Sequence, residues 1–424
     1  MGTILFLTLL VLLIINVPIA IALGLSVVAA FVIEGNIPLL VVIQKMFNGT
    51  DSFPLMAIPF FLLAGKLMET GGISARLITF ANTIVGNLPG GLAIVAVIGC
   101  TFFAAISGSS AATTAAVGGI LIPHMVKKGY DVRFSAALHA AGGTIGVMIP
   151  PSVPLVLYGV AASTSINDLF IAGIGPGILV AISLVIYAII VSKKQGWGGG
   201  KKYSAGEIWK AFKDAILAIM MPVIILGGIY GGIFTSTEAA VVAVVYGLVV
   251  GLFVYREIKW KDLGSVFTSS ASLTAAIMLI IATANSFGFL LTRENIPQEI
   301  AQFMLGITDS TIITLLVINI FLLIMGTFME TSVIIILLTP ILLPIILALG
   351  IDPVLFGVIM VVNSAIGMLT PPVGINLLVA GKISQLPNAA IERAVIPFLV
   401  IMIIDLLLIT YIPEISMFLV NLSK

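Results

Sequence analysis

From Leu169 to Val191 the chain runs without one charged side chain, and other apolar stretches lie around Ala239 to Val254 and, with the single charge of Asp405, Val395 to Tyr411. Crossing the hydrocarbon of a bilayer takes about 18 to 20 apolar residues in a helix. A backbone in hydrocarbon must also satisfy its own polar groups. Repeated runs of this length therefore restrict the chain to a bundle of membrane-spanning helices. Composition agrees: of 424 residues 60% are hydrophobic and 9% charged, with a mean hydropathy of +1.27, well beyond a soluble core. The segment "ILFLTLLVLLIINVPIAIALG" is expected to be the first span. It does not resemble a cleaved leader, because no basic region precedes it and no small-residue cleavage site follows at a suitable distance.

Composition also narrows the chemistry. Cys100 is the only cysteine, which excludes an intramolecular disulfide, and His124 and His139 are the only histidines, too few for a histidine metal cluster. The net charge of +1 argues against a nucleic-acid partner. Gly198 to Gly200 stand beside lysines, yet no G-x-x-x-x-G-K-[ST] pattern occurs, and neither "AGKLM" nor "AGKIS" supplies one. With no HExxH, membrane-embedded Ser/His or paired-aspartate constellation, an intramembrane enzyme is disfavoured.

Two stretches break the apolar pattern in the same way: "GVMIPPSVP" at 146–154 and "GMLTPPVGIN" at 367–376. Superimposing their doubled prolines gives an offset of 371 − 150 = 221. At that offset Ile120 pairs with Ile341, Leu121 with Leu342, Pro123 with Pro344, Gly129 with Gly350, Asp131 with Asp352, Ile145 with Ile366, Gly146 with Gly367 and Ser163 with Ser384. Matched prolines, glycines and aspartates at one register indicate an internal duplication. Lys127, Lys128 and Arg133 surround the Gly129 turn, whereas Ala348, Leu349 and Val354 surround Gly350. By the positive-inside rule the first turn faces the cytoplasm and the second faces away, so the copies are expected to be inverted. The reading divides the chain into a first half (1–191), a cytoplasmic lysine- and glycine-rich connection (192–214) and a second half (215–424). The first half carries a hairpin at about 91–127 and a broken helix at about 133–162; the second carries a hairpin at about 311–349, a broken helix at about 353–384 and a last span.

Each hairpin has arms of roughly 15 residues, about 22 Å at 1.5 Å per residue, and polar residues at its tip, "SGSSAATT" and "MGTFMETS". Both are read as re-entrant, with the alternative for "SGSSAATT" that its small residues merely pack helices together. Proline removes a donor, so Pro150 and Pro151 are expected to free the carbonyls of Gly146 and Val147, and Pro371 and Pro372 those of Gly367 and Met368. Hard cations bind such oxygens, and a hairpin tip beside a broken helix in each inverted copy suits alternating access. Alternation in turn speaks against a channel. Glu330, at the second tip, is read as a site residue because an unpaired carboxylate at membrane depth is costly. His139 is read as a packing residue. Asp405 is assigned equally to helix packing or to contact with another subunit, and Lys66 and Lys382 snorkel.

The segments "GNLPGGLAIVAVIGCTFFAAISGSSAATTAAVGGILIPHMVKKGYD", "GTIGVMIPPSVPLVLYG", "GGIYGGIFTSTEAAVVAVVYG" and "LLTPILLPIILALGIDPVLFGVIMVVNSAIGMLTPPVGINLLV" resemble the large permease subunit of tripartite ATP-independent periplasmic (TRAP) transporters. The resemblance covers nearly the whole chain. It departs at "FTSTEAA", where proline is commoner at the Ser236 position. It implies an all-α polytopic protein of the bacterial inner membrane, with an inverted-repeat elevator fold of two re-entrant hairpins and two broken helices. It further implies sodium-driven uptake of an organic anion, such as a sialic acid or a C4-dicarboxylate. The implied partners are a periplasmic binding protein and a small four-helix membrane subunit, expected as a separate chain. One sodium site maps onto Ser107, Ser109, Gly146, Ile149, Pro150 and Pro151. The other maps onto Gly326, Thr327, Gly367, Thr370, Pro371 and Pro372, with Glu330 beside it. Ser109, Ser110, Thr331, Ser332, Asn376 and Arg293 are expected on the substrate side; Arg293 would grip a carboxylate, dock the binding protein, or merely pair with Glu294 or Glu299. A stand-alone sodium/dicarboxylate symporter of related fold is the alternative.

Overall fold

A computed structural model describes residues 1–424 apart from 36, 37, 199, 308, 309 and 424. Among the described residues every regular element is helical. Seven helices among the described residues are long and apolar enough to cross a membrane, including Ile166–Gln195, Ala205–Tyr230 and Asn388–Tyr411. Local chemistry sets their ends. Ile166–Gln195 starts where the Ser165 side chain accepts from the Asp168 N–H and stops at Gly196 in the left-handed region, with Lys193 and Lys194 in its last turn. Ala205–Tyr230 starts with a capping box between Ser204 and Glu207.

Two expectations from the sequence are corrected. The first apolar stretch is not one span but two short helices, Gly2–Ile14 and Ile19–Glu34, packed on each other. Asn16 takes a positive φ and Pro18 stands just outside the second helix, so the chain turns there rather than continuing. The polar connection is also shorter than 192–214, because helix occupies it up to Gln195 and again from Ala205. What remains is folded against the protein: Trp197 lies 5.0 Å from the Tyr130 ring and 5.1 Å from that of Phe134, and its carbonyl accepts from the Gly90 N–H at 3.0 Å.

The 221-residue offset holds at the level of helices. Ser110–Lys127 corresponds to Thr331–Ala348 (331 − 110 = 221, 348 − 127 = 221). Gly91–Ser107 corresponds to Thr311–Gly326, Val132–Thr144 to Pro353–Gly367, and Val153–Ala161 to Ile375–Ser384. Each half thus holds two helices joined by a polar turn, followed by a helix interrupted at a doubled proline. In both halves that proline–proline peptide is cis. Both second arms have 18 residues, beyond the roughly 15 read from the sequence, but only Thr331–Ala348 is also apolar enough to cross a membrane.

The halves interlock. Beyond its break, the first interrupted helix (Val153–Ala161) packs on Thr331–Ala348 of the second hairpin. Reciprocally, Ile375–Ser384 packs on Ser110–Lys127 of the first hairpin. The Tyr158 hydroxyl, fully buried, donates to the Pro353 carbonyl at 2.8 Å and so ties one interrupted helix to the other. A second group of helices, including Leu40–Thr50, Ala57–Thr70, Ser236–Val249 and Leu263–Arg293, packs chiefly within itself and flanks this core. Ser236, the position where the chain departs from the commoner proline, joins the two groups by bonding Asn167 Oδ1 at 3.1 Å.

Candidate ion and substrate site

The first hairpin turns through Gly108, whose φ of 57° is open to glycine at little cost and whose α-carbon faces the Pro151 carbonyl closely. Ser109 then caps Ser110–Lys127, its side chain accepting from the Ala112 N–H. Thr113, one turn on, donates to the Ser109 carbonyl at 2.8 Å, leaving Ser107 Oγ to donate to Thr113 Oγ1 at 2.9 Å. The tip is therefore a closed knot of hydroxyls. Thr113 was not singled out in the sequence, although its position four residues after Ser109 on a helix is the available signal.

Each tip meets its own break at a glycine. A β-carbon on Gly146 would lie 2.6 Å from the Ser109 carbonyl oxygen, and one on Gly326 would lie 2.7 Å from the Cα of Gly367. Ser107, Ser109, Gly146 and Pro151 are thus brought together, and so are Gly326 and Gly367. The second tip is held differently: Glu330 caps Thr331–Ala348, accepting from the Ser332 N–H at 2.9 Å and from Ser332 Oγ at 3.1 Å. Thr331 Oγ1 bonds Met368 Sδ at 3.1 Å, and Thr327 Oγ1 donates back to the Ile324 carbonyl.

The expectation of four open carbonyls needs correction. Val147 O accepts from Ser152 Oγ at 2.6 Å, Gly367 O from the Thr370 N–H at 2.9 Å and Met368 O from the Asn376 N–H at 3.1 Å. Among the described residues no donor reaches the Gly146 carbonyl. The chain refills three of the four acceptors because buried polar groups are costly to leave unpaired, though each oxygen keeps a second lone pair. Ser152, directly after the first doubled proline, was missed. The breaks also differ in access: residues 145–159 are buried throughout, whereas Pro372 and Val373 are exposed. Ile149 packs its side chain against Gly177, leaving only its backbone to serve a site.

Asn376 joins the halves. Its amide donates to Ser110 Oγ at 2.6 Å and to the Ala140 carbonyl at 3.0 Å, and its own Oδ1 is buried without a partner. A second buried network, also unforeseen, links Asn363 to Asn319 at 2.9 Å and Asn319 to Thr410 at 3.0 Å. Asparagines inside such apolar helices are the signal it offered. No group of three or more His, Cys, Asp or Glu gathers among the described residues.

Arg293 stands apart. It is exposed at the end of Leu263–Arg293 and forms no ion pair among the described residues, so neither Glu294 nor Glu299 holds it. Lys45, not singled out in the sequence, does line a cavity beside the core. A cavity of about 390 Å³ lies between the flanking helices and the core, lined by Lys45, Asn285 and Thr292 on one side and Leu157, Ile336 and Pro340 on the other. Lys45 Nζ lies 4.4 Å from the centroid of the Phe289 ring. His139 is buried with Nδ1 on the Ser135 carbonyl at 2.7 Å, consistent with packing. Asp405 is 3% exposed and accepts from Ser183 Oγ at 2.8 Å, which joins two helices of this chain and leaves little surface for another subunit. Lys66 pairs with Glu69.

Residues 6–415 match the family described as tripartite ATP-independent periplasmic transporter, DctM component. The chain is 49% identical over 407 residues to the isethionate TRAP transporter permease protein DctMQ of Oleidesulfovibrio alaskensis, an alignment of 96% of this chain and 64% of that longer protein. It is 46% identical to the C4-dicarboxylate TRAP transporter large permease protein DctM of Pseudomonas aeruginosa, over 89% and 88% of the two chains. To the sialic acid TRAP transporter large permease protein SiaM of Vibrio cholerae it is 38% identical, over 89% of each. Among solved structures, the YdaH transporter of Alcanivorax borkumensis superimposes with a TM-score of 0.63 at 13% identity, covering 87% of this chain and 86% of that one, which speaks to the fold alone.

Proposed function

This chain belongs to the family of large permease components of TRAP transporters, proteins of the inner membrane, and from that premise we propose that it carries a small organic anion inward by sodium-coupled alternating access. The observation that supports this most is that each half seats a polar hairpin tip on its own proline-broken helix, with glycine at the contact, Gly146 in one half and Gly367 in the other. Sodium is a hard cation that takes oxygen ligands. The first site would use Ser107, Ser109, the unclaimed Gly146 carbonyl and the backbone of Ile149 to Pro151. The second would use Gly326, Thr327, Gly367 and Thr370 to Pro372, with Glu330 holding its tip in place.

The anion is proposed to sit between the tips, near Ser109, Ser110, Thr331, Ser332 and Asn376, where the two halves touch. Relatives named for isethionate, C4-dicarboxylates and sialic acid agree in being transporters of organic anions, one of them a sulfonate, and the proposal is confined to that class. The re-entrant hairpins and interrupted helices are taken to form the moving body, sliding as an elevator past the flanking helices. Under this reading the inverted halves place Lys128 in the cytoplasm and Leu349 in the periplasm. A small membrane subunit and a periplasmic binding protein complete the machine, and exposed Arg293 lies at the end where that protein would dock.

Uptake into proteoliposomes tests the reading. Vesicles containing this chain and its small subunit should accumulate a labelled C4-dicarboxylate, isethionate or sialic acid only with an inward sodium gradient and the matching binding protein. Uptake that ignores sodium would refute the coupling. Uptake that ignores the binding protein would move the chain to the stand-alone symporters.

A further inference from the structure

A cleft of about 560 Å³ opens where the helix Val132–Thr144 begins, between it and the two long helices Ile166–Gln195 and Asn388–Tyr411. Its walls carry Arg133 and Arg393, the rings of Phe134 and Tyr187, and Pro397. Both arginines are exposed and neither forms an ion pair among the described residues. Asp131 also lines the cleft, but its Oδ1 is occupied as the cap of its own helix, accepting from the Phe134 N–H at 2.9 Å. Arg393 lies near the start of Asn388–Tyr411, a helix with no side-chain cap and no acidic residue in its first turn, and Ala389 and Ala390 of that turn line the cleft. Arg393 itself lies in the second turn, after Glu392; the uncapped first turn favours negative charge, so an anion bound here would meet both guanidiniums and the helix end.

The surface leading away from the cleft says what kind of anion. On Asn388–Tyr411, Arg393 is followed on one face by Ile396, Val400 and Ile404, which are 54%, 51% and 52% exposed. On Ile166–Gln195, Ile190, Ile186 and Ile182 form a second exposed stripe at four-residue spacing. Two guanidiniums at the mouth with aliphatic tracks running along the spans match an amphiphile, not a soluble ion. Guanidinium forks pair with phosphate oxygens in a bidentate manner, and basic pockets between spanning helices suit anionic headgroups.

We propose that this cleft holds the headgroup of an anionic phospholipid, such as phosphatidylglycerol, with Arg133 and Arg393 on its phosphate and its acyl chains along the Ile396 and Ile190 stripes. The cleft joins one interrupted helix to two long spans, so a lipid seated there would brace their packing. The proposal depends on neither the transported anion nor sodium.

The test uses the purified full chain in mild detergent, titrated with phosphatidylglycerol or phosphatidylcholine of identical acyl chains, with retained lipid read by native mass spectrometry. A basic residue near a membrane surface favours an anionic lipid by about fivefold, so wild type should prefer phosphatidylglycerol by at least that factor. Arg133→Ala/Arg393→Ala should bring the preference close to unity, and Arg133→Lys/Arg393→Lys should keep part of it. Lys193→Ala/Lys194→Ala, which removes charge outside the cleft, should leave it unchanged. Equal retention of the two lipids by wild type, persistence of the preference in the double-alanine variant, or its loss in the Lys193/Lys194 variant would each overturn the proposal. Competition by millimolar inorganic phosphate would do so too, because the site would then be one for a soluble anion.

Discussion

Gly326 and Gly367 stand backbone to backbone: a β-carbon on Gly326 would lie 2.7 Å from the Cα of Gly367. The second hairpin can approach its broken helix this closely only because neither residue has a side chain. Gly367→Ala should therefore push tip and break apart, an overpacking worth about 1–3 kcal/mol. Sodium-dependent uptake is expected to fall at least about tenfold, the kinetic equivalent of about 1.4 kcal/mol. Gly119→Ala is the control, since that position has open space around it. Matched uptake in the two variants, at equal amounts of protein, would show that the contact is not needed for transport.

The Asn376 amide is one polar tie between the halves, beside those of Tyr158 and Ser183, and removing it strands Ser110 Oγ and the Ala140 carbonyl in a buried setting. Asn376→Leu should cost about 1–3 kcal/mol, read as a lower apparent Tm of the purified chain. Ser110→Ala removes one acceptor only and should cost less. Equal melting of all three proteins would mean that the tie contributes nothing.

Insertion sense is checked by labelling. In a Cys100→Ala background, Lys127→Cys should react only with reagent on the cytoplasmic side and Ala348→Cys only from the periplasm. These positions are repeat counterparts (348 − 127 = 221) and both are exposed. Labelling of both from one side would remove the inverted arrangement and the alternation built on it.

Lys45 and Arg293 separate two uses of positive charge. Lys45 lines the cavity between the flanking helices and the core, so Lys45→Met is expected to raise the KM for the transported anion several-fold while Lys45→Arg largely rescues it. Arg293 is exposed outside that cavity. Its alanine variant should weaken productive docking of the binding protein, with lysine restoring it and added salt mimicking the loss. The reverse pattern would exchange the two roles.

Much of this was legible in the residues. The doubled prolines and the offset between them located both interrupted helices, because two successive residues without an N–H remove two helical hydrogen bonds together, whereas the single prolines at 123, 176 and 222 lie inside unbroken helices; both glycine contacts fall at that same register. The folding of the termini and the connection was not legible. An apolar run reads the same whether it continues or turns at Asn16, and helix propensity carried both flanking helices into the polar segment as far as Gln195 and from Ala205. The refilling of the carbonyls by Ser152, Thr370 and Asn376 was hidden for another reason. Sequence shows which donors a proline removes, but the donors that replace them are set by how the chain turns after the break. Lys45 was invisible for lack of any local signal, since its cavity exists only once Leu40–Thr50 crosses Leu263–Arg293.

The central claim is that the two tip-and-break contacts are sodium sites, and sodium's effect on the stability of the purified chain tests it most directly. A ligand that binds only the folded state stabilises it by about 2.7 kcal/mol per site at a hundredfold excess over Kd. At constant ionic strength, replacing potassium by sodium should raise the unfolding midpoint of wild type, and Gly146→Ala and Gly367→Ala should each lose part of that rise. Identical midpoints in sodium and potassium, or a full sodium response in both glycine variants, would contradict the assignment.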